Sequence, residues 1–255
     1  ANNSSAGNSY LLAQTTDATA PTISSISITS SAGADNIYGA GETITATVVW
    51  SETVTVSGAP RIPIQGLTSK YLTYASGSGT TSTTFTYTIV NGDVDRDGIS
   101  ITANTLELNS GTIKDAGNNN ATLTHAAIVA SLTRQVDGSP PTVSTIIVST
   151  NGSNIALTMS ETLSATTPAT GAFTVVVNSV SDAVTAVSIS GSTITLTLTF
   201  AVLSGATVTV AYTDPSVGND VNALQDEAGN DAASITATSA TNNSNTTSNT
   251  TASIA

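Results

Sequence analysis

The 255-residue chain has no cysteine and only one histidine, one methionine and one tryptophan. Those shortages remove most catalytic equipment at once. Without a thiol there is neither a thiolate nucleophile nor a disulfide framework, and without a second histidine no zinc site of the usual ligand set. His125 has serines nearby, as any histidine would in so Ser-rich a chain, and no G-x-S-x-G elbow accompanies it, so no catalytic triad is expected. The chain is read as not an enzyme.

Cations are scarce as well. Five Lys and Arg face seventeen Asp and Glu, the net charge is −12, and none of the cations follows Arg134. Such a field repels phosphate backbones and anionic lipid, so no nucleic-acid partner is expected, while Ca²⁺ would be attracted. Charged residues are 9% of the chain, against about a quarter in ordinary domains; hydroxyls and amides must cover the surface instead. No run approaches the ~20 apolar residues of a membrane-spanning helix, so no membrane insertion is expected. The opening segment Ala1–Gln14 lacks the basic and apolar regions of a signal peptide and reads as a mature end, which makes secretion the expectation.

What fills the chain is Thr, Ser, Val, Ile, Ala, Asn and Gly. The β-branched residues among them suit a pleated, half-buried surface. Apolar residues alternate with Thr or Ser, as in Thr193-Ile-Thr-Leu-Thr-Leu-Thr-Phe200, which buries one face and solvates the other. Strands are predicted over 22–29, 42–50, 61–65, 71–74, 83–90, 98–101 and 128–136, then over 143–149, 154–159, 173–178, 184–190, 193–200, 207–212 and 234–238. About seven short strands per half is the pattern of a sandwich.

An internal repeat divides the chain. Pro21-Thr-Ile-Ser-Ser-Ile returns as Pro141-Thr-Val-Ser-Thr-Ile, Ser51-Glu52-Thr53 as Ser160-Glu161-Thr162, and Asp115-Ala-Gly-Asn118 as Asp226-Glu-Ala-Gly-Asn230. The joint, Val136-Asp-Gly-Ser-Pro-Pro-Thr142, is held extended by its two prolines. The fold class is all-β: two tandem immunoglobulin-like antiparallel β-sandwich domains, 18–138 and 139–239, with extended tails at 1–17 and 240–255. Both tails are polar and unable by themselves to offset their ordering entropy. Ser9–Thr15 could add to a neighbouring subunit's sheet edge as a donor strand.

The first half resembles the immunoglobulin-like repeats of large bacterial surface adhesins. The residues that carry the likeness are Asp17-Ala-Thr-Ala-Pro-Thr22, Tyr38-Gly-Ala-Gly-Glu42, Ser51-Glu-Thr-Val-Thr-Val56, Ser76-Gly-Ser-Gly-Thr80 and Lys114-Asp-Ala-Gly-Asn118. The second half resembles the repeat named after SwmB, a cell-surface swimming protein, through Val210-Ala-Tyr-Thr-Asp-Pro215 and Val221-Asn-Ala-Leu-Gln-Asp-Glu-Ala-Gly-Asn230. The resemblance implies a scaffold in an extracellular setting and leaves the function open.

Two groups of carboxylates could hold Ca²⁺. Asp93, Asp95 and Asp97 alternate ahead of Gly98, as in the first half of an EF-hand loop, although the twelfth position is Asn104 where that loop has Glu. Glu52, Asp115 and Asp137, with the second-domain counterparts Glu161 and Asp226, could meet at a domain junction and stiffen it. Asp214, Asp220 and Asp231 read as loop carboxylates. Lys70 and Lys114 could join intramolecular isopeptide bonds only beside a buried glutamate, which the sequence does not indicate. Sequons at Asn2, Asn3, Asn120, Asn151, Asn242, Asn245 and Asn249 would make a glycoprotein if the source organism glycosylates its exports. The functional expectation is a non-enzymatic extracellular structural protein, self-associating into a filament or layer at the cell surface. The alternative is an adhesin module that binds surface glycans or a protein, or a fragment of a larger calcium-stiffened adhesin.

Overall fold

The computed structural model describes residues 17–216 and 218–247. The first half forms β1 (Ile23–Ile28), β2 (Ile37–Tyr38), β3 (Thr43–Ser57), β4 (Arg61–Pro63), β5 (Tyr71–Ser76), β6 (Thr80–Thr88), β7 (Val94–Asp95), β8 (Thr112–Lys114) and β9 (Gln135–Asp137). One sheet runs β1-β3-β6-β5-β4 with β8 beside the end of β3, and β2-β9-β7 forms the other. The second half forms β10 (Val143–Val148), β11 (Asn154–Met159), β12 (Phe173–Val177), β13 (Val180–Asp182), β14 (Val184–Ser190), β15 (Thr193–Leu198), β16 (Val208–Tyr212), β17 (Ile235–Ser239) and β18 (Thr241–Asn242). Its sheets run β14-β15-β11-β10-β18 and β13-β12-β16-β17. Among the described residues one 3₁₀ turn, Thr170–Ala172, interrupts the strands. Among the described residues no helix is long and apolar enough to cross a membrane.

The alternation in the sequence is the alternation of burial. In β3, Ile44, Ala46, Val48, Trp50 and Val54 point inward while the intervening residues face out or lie half-covered. Trp50 brings a polar atom into that core and satisfies it by donating Nε1–H to Thr83 Oγ1 at 3.0 Å. In the second sandwich Tyr212 does the same from the other side of the bond, its hydroxyl accepting the Leu224 N–H at 2.7 Å. Each half closes its own apolar core, one around Trp50, Phe85 and Tyr38, the other around Phe173, Tyr212 and Leu157. That separation is what makes them two tandem sandwiches.

Several strands differ from expectation. The predicted strand at 98–101 reduces to bridges at Ser100 and Ile101. Gly98 turns the chain there at φ +90°, so close to the Ser131 carbonyl that a Cβ would lie 1.9 Å from it. Of the predicted 128–136 strand only Gln135 and Val136 are regular, in a strand that runs on to Asp137, because a turn closes between Ser131 and Arg134. The two- and three-residue strands β2, β7, β8, β13 and β18 are too short to show a period.

The last strand of each half lies parallel to an early one: β9 beside β2, pairing Gln135 with Ile37, and β18 beside β10, pairing Thr241 with Ile147. The chain therefore leaves the first sandwich directly into the second, delivering Asp137 to it. The residues expected to form a C-terminal tail continue this scheme as far as Thr246. Asn242 Nδ2 donates to the Leu203 and Ala206 carbonyls, both at 2.9 Å, and Ser244 Oγ to the Val202 carbonyl at 2.7 Å. Amides and hydroxyls hold this stretch by capping main-chain carbonyls, which requires little apolar area. Ser9–Thr15 lies outside the described residues.

Candidate metal centre

The same local construction occurs at the entry of each sandwich. At the first, the Thr22 N–H donates to Ser51 Oγ (3.0 Å) and the Ser51 N–H returns to the Thr22 carbonyl (2.8 Å). At the second, Thr142 and Ser160 exchange the same two bonds at 3.0 and 2.8 Å. The pinned serine sets the glutamate that follows it, Glu52 or Glu161, beside the entering chain. That chain carries an aspartate folded on its own main chain: Asp17 Oδ1 accepts the Thr19 N–H at 2.9 Å, and Asp137 Oδ1 the Ser139 N–H at 3.1 Å.

An Asp-x-x-x-Asn clasp completes each site. Asp115 Oδ1 accepts the Asn119 N–H (2.8 Å), Asn119 Nδ2 donates to Asp115 Oδ2 (2.7 Å), and the same Nδ2 reaches the Asp17 carbonyl (2.9 Å). In the second sandwich Asp226 and Asn230 make the matching bonds at 2.8 and 2.7 Å, and Asn230 Nδ2 reaches the Asp137 carbonyl at 2.7 Å. The residue matched by position within the clasp is therefore Asn119, one beyond the Asn118 that the sequence repeat pairs with Asn230.

These constructions bring three carboxylates together twice. Asp17, Glu52 and Asp115 form one group and Asp137, Glu161 and Asp226 the other, each with one oxygen per residue inside a 4.8 Å span. Oxygens on a single Ca²⁺ at 2.3–2.6 Å from it can lie no more than about 5 Å apart, so the spacing fits one ion. All donors are hard oxygens, which suits Ca²⁺ and excludes soft-metal chemistry. Of the residues expected at a junction, Glu52 and Asp115 belong to the entry of the first sandwich, and Asp137, Glu161 and Asp226 to the joint. Asp17 is the member that sequence reasoning missed. The signal was present, since Asp17 precedes Pro-Thr by four residues and Asp137 does so at the corresponding place.

Burial and mutual repulsion act on the glutamates. Burial, then the charges of Asp137 and Asp226, pushes Glu161 up to about 7. Burial and the charges of Asp17 and Asp115 raise Glu52 as well. Burial raises Asp226 against the opposing bonds from Asn230, whereas the bond from the Asn119 side chain leads a set that holds Asp115 low. Among the described residues, the ion pair to either group is at the joint, where the Arg96 guanidinium lies 3.3 Å from Asp137 Oδ2.

The alternating aspartates do not form a third such centre; among the described residues they are not one of the carboxylate groups that converge. Asp93 has partners of its own, whereas Asp95 and Asp97 lie within reach of each other. Asp93 is engaged by Lys70 (3.2 Å), the Tyr87 hydroxyl (2.6 Å) and the Val90 N–H (3.0 Å). Burial alone would raise it, and these partners together hold it below the usual range. Asp95 turns instead against Gly66, where burial, then a hydrogen bond and repulsion from Asp97, raise it to about 6. Asp214, Asp220 and Asp231, read as separate loop carboxylates, do converge, with Asp231 Oδ2 accepting the Asp220 N–H at 2.9 Å. Lys114 Nζ donates to the Asn118 side chain at 2.9 Å on the surface. His125 is engaged by the main chain, its Nε2 accepting the Thr105 N–H at 3.0 Å and its Nδ1 lying 2.7 Å from the Ala126 carbonyl.

Residues 136–217 match the family described as "Putative flagellar system-associated repeat". No curated protein matches the sequence. Among solved structures, an I-band fragment of titin is similar at 9% identity and a TM-score of 0.29, covering 88% of this chain and 63% of the fragment. A chimeric titin Z1Z2 bearing a decorin peptide is similar at 13% identity and a TM-score of 0.25, covering 77% of this chain and 90% of the chimera. The chain thus spans less than two thirds of the I-band fragment. Its second sandwich is the part similar to the flagellar system-associated repeat.

Proposed function

We propose that the chain is a non-enzymatic structural module of a bacterial cell surface or appendage, whose two sandwiches are fixed relative to one another by Ca²⁺ at their joint. The observation that carries this reading is the Asp137–Glu161–Asp226 group, in which one carboxylate comes from the strand leaving the first sandwich and two from the second. Three carboxylates gathered in a partly dry site repel one another, and a divalent cation relieves that repulsion. Because the ligands belong to both sides of the Pro140-Pro141 linker, the same ion would restrain the hinge. The similarity of residues 136–217 to a flagellar system-associated repeat supports a surface setting.

Self-association into a filament or layer extends this reading. A rod with a defined joint angle can repeat regularly, and a loosely hinged one cannot. Calorimetric titration of the purified chain with CaCl₂ tests the proposal, paired with small-angle scattering. Binding is expected together with a more extended, narrower distribution of shapes. An unchanged scattering profile in millimolar CaCl₂, with no heat of binding, would refute it.

A further inference from the structure

Asn230 holds more than its own clasp. Its side chain is fully buried, at 0% exposure, and reaches three parts of the molecule at once. Nδ2 donates to Asp226 Oδ2 and to the carbonyl of Asp137, both at 2.7 Å, so one amide nitrogen orients two members of the carboxylate group. Oδ1 accepts the N–H of Ala40, at 2.7 Å, from the turn that follows β2 in the first sandwich. Around that bond the two sandwiches meet closely. Asn219 Nδ2 donates to the Ala40 carbonyl at 3.0 Å, and a Cβ on Gly39 would lie 2.3 Å from the Ala228 carbonyl.

Asn119 provides an internal comparison. It makes the corresponding bonds to Asp115 and to the Asp17 carbonyl. Among the described residues, however, its Oδ1 accepts no hydrogen bond from a second sandwich, and the residue is only half-buried. The clasp is thus common to both sites, and the bridge to another domain belongs to the joint.

We infer that Asn230 is the positioning residue that couples cation occupancy of the joint to docking of the two sandwiches. A planar amide with both ends engaged cannot rotate to follow one partner without losing the other. An ion that draws Asp137 and Asp226 together fixes the plane of the amide and so aims Oδ1 at Ala40. Docking through Ala40 fixes the same plane and holds the carboxylates in the ion's geometry. Linkage requires the two effects to be equal in both directions. This inference rests on the calcium reading above and adds to it a specific route.

The test uses the full chain in a Glu52→Gln, Asp214→Asn background, so that the joint is read apart from the first entry site and from the Asp214–Asp220–Asp231 group. Because the protein has no cysteine, Ala75→Cys and Ala186→Cys can carry spin labels, one on each sandwich, and report the interdomain distance. With Asn230 intact, CaCl₂ is expected to narrow the distance distribution. Asn230→Ala is expected to weaken Ca²⁺ binding about tenfold and to leave the distribution broad even at saturation. Ala40→Pro removes the N–H from the first sandwich, fixes φ there and restricts Gly39, and it changes no member of the carboxylate group. It is expected to weaken Ca²⁺ binding as well, by about threefold to tenfold, which a purely local packing role for Asn230 would not produce. Circular dichroism melts establish that each variant is folded. If Ca²⁺ binds and narrows the parent distribution, but Ala40→Pro binds it with parental affinity and narrows equally, the coupling through Asn230 is wrong while the calcium reading stands. If the parent binds no Ca²⁺, the calcium reading itself fails and the coupling with it.

Discussion

The two carboxylate groups share nearly every local bond and differ in what lies around them. At the entry of the first sandwich the Asp17–Glu52–Asp115 group is closed by a half-buried Asn119, with no described cation in contact. At the joint the Asp137–Glu161–Asp226 group has Arg96 on one side, a fully buried Asn230 behind it and another domain across it. The local sequence builds the site, and its surroundings differ. Burial leads the causes that displace Glu161 to about 7, followed by the charges of Asp137 and Asp226.

The most forceful way to break this comparison is to undo the docking alone. Gly39→Val places side-chain atoms against the Ala228 carbonyl, and overpacking of this kind costs about 2–3 kcal/mol. Scattering is expected to show the two sandwiches separating, and the Glu161 titration, followed by NMR, should move down toward that of Glu52.

The next largest effect separates the two glutamates. With no Ca²⁺ present at pH 8, Glu161→Gln removes a charge that the joint tolerates poorly and is expected to stabilise the second sandwich by roughly 1–2 kcal/mol after allowance for solvent screening. Glu52→Gln should move its midpoint less. In saturating Ca²⁺ the sign should reverse for Glu161→Gln, because a ligand has been lost; chemical denaturation with and without CaCl₂ measures both.

Acidity offers a subtler test. The folded state holds the Glu161 proton more tightly than the unfolded chain does, so this contribution to stability is fully present below pH 4.5 and is lost as pH rises to about 7. Calcium should flatten or invert that slope, since it binds the carboxylate form. Denaturation midpoints between pH 4.5 and 8 would show it, and a slope unaffected by CaCl₂ would count against an ion at Glu161.

The smallest expected effect concerns the alignment of the clasps. Asn118 sits at φ +68°, where glycine is at least as comfortable, so Asn118→Gly should change stability by less than about 0.5 kcal/mol. Asn119→Gly, which removes the amide bonds to Asp115 and Asp17, should cost about 1–2 kcal/mol in the same thermal assay.

Much of this was legible because period and repetition are explicit in the sequence. The 193–198 stretch alternates so strictly that its buried face could be read directly, Glu52, Asp115, Glu161 and Asp226 were marked by falling at repeated places, and Asp137 by its position in the linker. Legibility ended where three-dimensional context decides. Asn119 and Asn118 are neighbours of identical type, and only the hydrogen bonds distinguish them. The spacing of Asp93, Asp95 and Asp97 imitates a loop, but the first faces Lys70 and Tyr87 and the second faces Gly66. Composition also under-read the Asn/Ser/Thr-rich stretch to Thr246, because an amide that caps carbonyls contributes to a fold without contributing apolar area.

The parallel placement of β9 beside β2 bears on how the molecule would respond to tension. Because β2 and β9 run the same way, opposite pulls on the start of β2 and the end of β9 would drag the two strands along each other's length. The evenly spaced, slanted bonds of a parallel pair would then be loaded together, whereas a peeling geometry would let them part singly. The same geometry holds for β18 beside β10, where Thr241 and Asn242 lie against Ile147 and Val148.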